Sequence, residues 1–552
     1  MTGSEGSSTS RPEVAGRRYS QDTLLDSDSD LDSQLTEKYP STLLSGSSTP
    51  QWAQVTYNEV RKHVSCRIPY SSNPIKLLKS ALYLLVPSYL ASHTNLEFKK
   101  YRPGSTEWLD GLRGIAAFFV FVYHHVVAYT GSEHDYAWDP KRHPNLLHLP
   151  ILRLFYSGTP MVKIFFVISG FALTYRPVKL MRKPGSQGSL MKTLASSVFR
   201  RWQRLFLPCA VVFFMVHCLR AWGAFDWFEV RHLKNPKILP GDIERYPAKS
   251  PDGFWGQMGI MVAEFWLFAI RNPILHAKYD FDADRHLWTI PTEYMQSMAL
   301  FLLVAMVSHL IRTFRVYVII PACYIFWTYY AKYDYPLFIC GYFCAEIHAA
   351  MDIPSLLPII NDDSIQKQAR TFKKTGKTIF FSFMFFIGLW LLSFPTLDGD
   401  KTWGYKTLCQ IMNPSGYFTK RATYHSLGAC ILVWSLLYLP RLQSYLTLPL
   451  FQYLGRISFS LYLMHGMVIR TLGHRLVLEG WSHYEPDAYG RRMFVTVIVF
   501  LFAVLPLVMW MSDVFWRLVE APCTNFVRWS EQLVVVREES VKEQAGGQIK
   551  TA

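Results

Sequence analysis

The chain predicts an all-α integral membrane protein with about ten transmembrane helices, and three observations carry that expectation. Apolar runs long enough to cross a bilayer recur from residue 111 to residue 516. Half of the 552 residues are apolar and only 18% are charged, yet the first seventy-odd residues hold no apolar segment, so the apolar content is concentrated. The basic residues behind the formal charge of +16 gather in short loops between the apolar runs, which is a topology signal and excludes a nucleic-acid-binding surface.

Taken in order, residues 1–74 read as a disordered cytosolic tail rich in Ser, Thr and Asp, and 75–107 as an interfacial amphipathic segment. Spans are expected near 111–130, 160–176, 204–222, 294–311, 315–331, 335–351, 378–395, 423–440, 449–470 and 493–516. An eleventh run, 256–270, is interrupted by Glu264 and reads as partly inserted, which makes 223–290 a large loop outside the cytosol. The acid-free loop with Arg176, Lys179, Arg182, Lys183, Lys192, Arg200, Arg201 and Arg204 places itself in the cytosol. Both termini then lie in the cytosol, including a tail at 529–552. No signal peptide opens the chain, so the first span is expected to direct insertion.

Ionisable groups at membrane depth are expensive unless they work. The first span carries Arg113, His124 and His125. Eleven steps at 100° put Arg113 and His124 on one helix face, about 16 Å apart along the axis, with His125 turned about 120° away. That arrangement suits an anion held at the mouth of a bundle and a proton moved inside it. Interfacial anchoring of Arg113 and helix packing of the histidines explain the same residues equally well. Glu293 and His465 reach the same far half of the membrane from two other spans, which packing alone does not require. Cys340, Cys344 and His348 share a helix face but lack a fourth partner, so no metal is expected. His134 and Asp139, with four residues between them, imitate a soluble-faced His/Asp pair without its surroundings.

Six segments together resemble the acyltransferase family 3 membrane proteins. They are Trp108 to Ala116 followed by His124, Phe165 to Phe171, Arg200 to Pro208, Trp288 to Glu293, Leu454 to His465 and Arg517 to Pro522, in family order over 108–528. Thr289 and Pro291 depart toward what looks like the fungal-type branch. The resemblance implies an acyltransferase-like membrane domain over 108–528 that moves an acyl group, usually acetyl from acetyl-CoA, to a hydroxyl of a sugar, lipid or small metabolite. It implies His124 as the catalytic imidazole, either base or acyl carrier, and Glu293 as the group that orients or deprotonates the acceptor. Arg113 and Arg201 are implied on the CoA side, although positive-inside anchoring accounts for Arg201 as well. Ser169, Trp288 and His465 are implied as lining or substrate contacts. No bound cofactor is implied; an acyl-CoA is a substrate, and the membrane lies in the endoplasmic reticulum or elsewhere in the secretory pathway. The rival reading is a multi-pass transporter of a small anionic or polar metabolite, against which stands the lack of an internal repeat.

Overall fold

A computed structural model describes residues 86–88 and 106–534, apart from 236–237, 242–245, 276–283, 312, 318, 322–333, 352–364, 412–416 and 486–487. The expected tail at 1–74, most of the interfacial segment and most of the span at 315–331 lie outside the described residues. The principal helices are α1 (Glu107–Val127), α2 (Gly158–Met181), α3 (Gln187–Ala221), α4 (Gly253–Arg271, ending in a π turn), α5 (Thr289–Val307), α6 (Asp334–Met351), α7 (Ile365–Leu392), α8 (Tyr417–Leu436), α9 (Pro449–Val468) and α10 (Tyr489–Val534, with two π turns). The protein is an all-α, polytopic membrane protein.

The count of about ten spans is corrected. Among the described residues six helices are long and apolar enough to cross a membrane, or seven if α8 and the short helix after it, bent by 102°, form one span. α1, α6 and α9 fall outside that group and carry polar and ionisable side chains along their length, with Arg113, His124 and His125 on α1, Asp334, Glu346 and His348 on α6, and Arg456 and His465 on α9. Conversely, the run at 256–270 belongs to one of the six. Glu264 does not interrupt it, because its carboxylate turns to His217 of α3 at 3.4 Å, while buried Gln257 meets the same imidazole at 2.9 Å. The indole of Trp202 donates to the Ala269 carbonyl at 3.0 Å, so α4 lies antiparallel along α3. Its other face exposes Trp255, Val262 and Trp266, as a lipid-facing helix does.

α1 begins with Glu107 and Asp110 in its first turn, where carboxylates favour the positive helix end. It then packs on α9 through glycines. A Cβ on Gly114 would enter the backbone of Leu454 and Gly455, and one on Gly455 the backbone of Asp110. Ten residues on from Gly114 is His124, and ten on from Gly455 is His465; the two rings lie 5.1 Å apart, so the helices run parallel and in register. Small residues let backbones approach closely where lipid offers no hydrophobic drive. α2 packs on α6 and on α1, and α5 bridges α2 and α3.

Gly455→Val should overpack this contact and destabilise the protein by about 1–3 kcal/mol or more. Thermal unfolding in detergent checks it, with Gly259→Val, where a Cβ meets open space, as the unchanged reference.

Candidate active site

Three imidazoles from three segments meet at the upper end of the α1–α9 contact. His124 comes from α1, His465 from α9 and His286 from the 3-10 turn Arg285–Trp288 that leads into α5. Their ring centroids lie 5.1 Å apart for His124 and His465, 5.3 Å for His124 and His286, and 4.3 Å for His286 and His465. His465 and His286 are buried. The Leu461 carbonyl sits 3.0 Å from Nδ1 of His465; a carbonyl only accepts, so Nδ1 carries a proton. A cleft lined by His124, Val127, Ala128, Gly466, Ile469, Arg470 and His474 opens on the cluster.

A second group lies one and a half turns along α5. Arg201 of α3 donates to Oε1 of Glu293 at 2.6 Å, and Ser169 of α2 donates to the same oxygen at 3.0 Å. Arg201 also donates Nε–H to Ser297 at 3.2 Å, and Ser297 in turn donates to the Glu293 carbonyl at 2.6 Å. Glu293, Arg201 and Ser169, all anticipated from sequence, are therefore one hydrogen-bonded unit. Tyr462 fixes the turn that leads into α5: its hydroxyl donates to the His286 carbonyl and lies 2.6 Å from the Thr289 hydroxyl.

Arg113 stands apart from both, beside Asp110 at 2.8 Å and donating to the Gly455 carbonyl at 3.2 Å, with 41% of its side chain exposed. Ser460 donates at 2.5 Å to Glu520, a carboxylate in the field of Arg113 and Arg204. This end of the bundle thus collects guanidinium groups that suit phosphate. Trp288 is exposed at the close of the 3-10 turn. His125 faces away as its angle requires, packed between Tyr129 and Phe500.

Sequence reasoning missed Asp284 and His286. The signal was an Asp and a His two residues apart immediately before the Trp288 to Glu293 segment. The decoys separate: His134 lies against Thr130 and Asp135, whereas Asp139 accepts the backbone N–H groups of Lys141 and Arg142. Those two N–H groups, with Arg142 beside them, hold the Asp139 carboxyl below its usual range. His348 packs on the rings of Phe171 and Tyr175. Among the described residues no three His, Cys, Asp or Glu side chains are grouped as a metal site requires.

Residues 106–517 match the family profile described as an acyltransferase domain. The O-acetyltransferase PaAT-1 of Phomopsis amygdali is 28% identical over 501 residues, which cover 88% of this chain and 95% of that protein. The acyltransferase clz18 of Cochliobolus lunatus is 26% identical over 79% of this chain and 97% of its own length. Acyltransferase R4 of a Phoma species is also 26% identical, over 79% and 98%. No solved structure matches.

Removing one partner of the Arg201–Glu293 pair strands the other, at a cost of about 3–5 kcal/mol for a largely buried pair. Arg201→Ala, Glu293→Ala and the double variant should therefore be strongly non-additive in thermal unfolding, with the double variant more stable than the sum of the singles predicts. Additive losses would mean the two side chains do not act as a unit.

Proposed function

The chain belongs to the acyltransferase-domain family, and from that membership and the imidazole cluster we propose that it transfers acetyl from acetyl-CoA to the hydroxyl of a small metabolite or glycan. The observation that carries this reading is the convergence of His124, His286 and His465 from three separate segments. The name of the Phomopsis amygdali relative, an O-acetyltransferase, supports acetyl as the acyl group and oxygen as its destination.

In this reading His124 accepts the proton of the acceptor hydroxyl as its oxygen attacks the thioester carbonyl. The carbon–sulfur bond then breaks, the ester is released, and the proton passes from the imidazolium to the departing thiolate to give CoA. Glu293 orients the acceptor, with Arg201 and Ser169 fixing which way its carboxylate points. Arg113, at the guanidinium-rich end of the bundle, holds the phosphates of CoA. His465 and Trp288 line the acceptor's approach. The membrane domain spans 108–528, flanked by the cytosolic segments 1–74 and 529–552 and the interfacial stretch 75–107.

Acetyl-CoA is made where metabolism supplies it, so the donor side faces the cytosol. The basic loop between α2 and α3 supports that orientation by the Lys/Arg bias. In this reading both termini lie in the cytosol and the loop between α1 and α2 lies in the lumen of a secretory-pathway membrane. A glycosylation acceptor inserted near residue 145 should be modified in a eukaryotic membrane, and one near residue 185 should not; the reverse pattern would turn the donor side outward.

Mass spectra of metabolites and glycans from cells with and without the protein should differ by acetyl groups on hydroxyl-bearing acceptors. His124→Ala should lower transfer at least about 100-fold, the scale of lost acid–base catalysis, with membrane insertion unchanged. Glu293→Gln should lower kcat more than affinity for CoA, and Arg113→Ala should do the opposite. Full activity in purified His124→Ala protein would end the assignment.

A further inference from the structure

Asp284, His286 and Arg470 form a buried charged group for which the acyl-transfer mechanism above has no use. Asp284 and His286 are 1% exposed at their side chains and Arg470 is 2%. Oδ1 of Asp284 lies 2.6 Å from Nδ1 of His286 and 3.2 Å from the Arg470 guanidinium. The opposite nitrogen of His286, Nε2, lies 2.8 Å from the Tyr462 carbonyl oxygen. A carbonyl offers no proton, so Nε2 carries one. Nδ1 stands 2.6 Å from the Asp284 oxygen that also faces the Arg470 guanidinium, a contact in which the nitrogen supplies the hydrogen, so Nδ1 carries the second.

We infer that His286 is a doubly protonated imidazole locked between Asp284 and the Tyr462 carbonyl, a fixed positive charge held against His124 and His465 that positions and electrostatically supports the transfer centre. Its two ring nitrogens face the Tyr462 carbonyl and the Asp284 carboxylate and not the cleft, so it exchanges no proton with a substrate. What it supplies is charge already oriented where an oxyanion develops, in a site screened from water, which is where such charge acts most strongly. His465 beside it has its Nδ1–H committed to the Leu461 carbonyl, so the orientation of that ring is fixed as well.

Gly466 is the independent mark of this arrangement. It directly follows His465, and a Cβ there would stand 2.5 Å from Cε1 of His286 and 2.9 Å from Oδ1 of Asp284. The pair therefore rests on bare backbone. The π turn Ile469–Gly473 that follows swings Arg470 onto the same carboxylate. Irregular turns of this kind inside helices concentrate at functional sites.

The inference rests on the acyl-transfer reading only in its kinetic part, so two measurements on the full-length protein in detergent keep the two separable. Thermal unfolding needs no substrate. Asp284→Asn and His286→Gln should each lower Tm, and the double variant should melt no lower than the worse single; additive losses would overturn the ion pair whatever reaction the protein performs. Acetyl transfer to the acceptor, once found, should fall about 100-fold in kcat in each single variant, with KM for acetyl-CoA within about twofold. Gly466→Ala should reduce kcat in the wild-type background but add nothing in the His286→Gln background, since the residue it displaces is already changed. Unfolding that couples the pair while kcat stays within about twofold of wild type would show a purely structural ion pair and overturn the positioning role. Absence of transfer in the wild type itself would instead count against the proposed function, and the unfolding cycle would still decide the pair.

Discussion

Because neither Gly114 nor Gly455 carries a side chain, α1 and α9 approach until backbone meets backbone, and the rest of the molecule is built around that contact. Two parallel helices in register translate a contact at one end into a contact ten residues on, about 15 Å along the axis, where His124 faces His465. Nothing flexible lies between the two contacts. The distance between the imidazoles is therefore set by helix geometry, which holds a reactive geometry more tightly than loops do. Arg113 belongs to the same device, since it caps the glycine end by reaching the Gly455 carbonyl.

Charge in the interior follows one pattern. Glu293 has Arg201 and Ser169, Asp284 has Arg470 and His286, and Glu346 has Arg182, Arg315 and Tyr342. Each of these three carboxylates is compensated by at least one guanidinium from another element, as low dielectric requires, because an uncompensated ion there costs several kcal/mol. Such pairs add little net stability against well-packed apolar residues of the same size. Their presence in three places is better explained by what they hold in position. Two of the three flank the histidine cluster along a single segment, Asp284 to Glu293.

Much of this was legible in the sequence, and for physical reasons. The residues that must sit at membrane depth while ionisable stand out against apolar surroundings, so Arg113, His124, Glu293 and His465 were visible without coordinates. The span count was not, because a helix that carries ionisable side chains loses the apolar signature by which spans are counted; α1, α6 and α9 are all of that kind. α4 misled in the opposite sense, since Glu264 looked like an interruption until His217, 47 residues earlier, supplied its partner. Asp284 and His286 escaped notice because they lie in a short turn outside any apolar run, and their partners Tyr462 and Arg470 come from far along the chain.

The pairing of Arg201 with Glu293 joins two residues that sequence reasoning assigned to opposite substrates. Oε1 of Glu293 accepts from Arg201 at 2.6 Å, so an anionic group that engages this guanidinium competes directly with the carboxylate. Ser169 stays on the same oxygen, so the carboxylate keeps its direction while its partner changes. Arg201 and Glu293 are therefore not independent: whatever engages one of them changes the setting of the other.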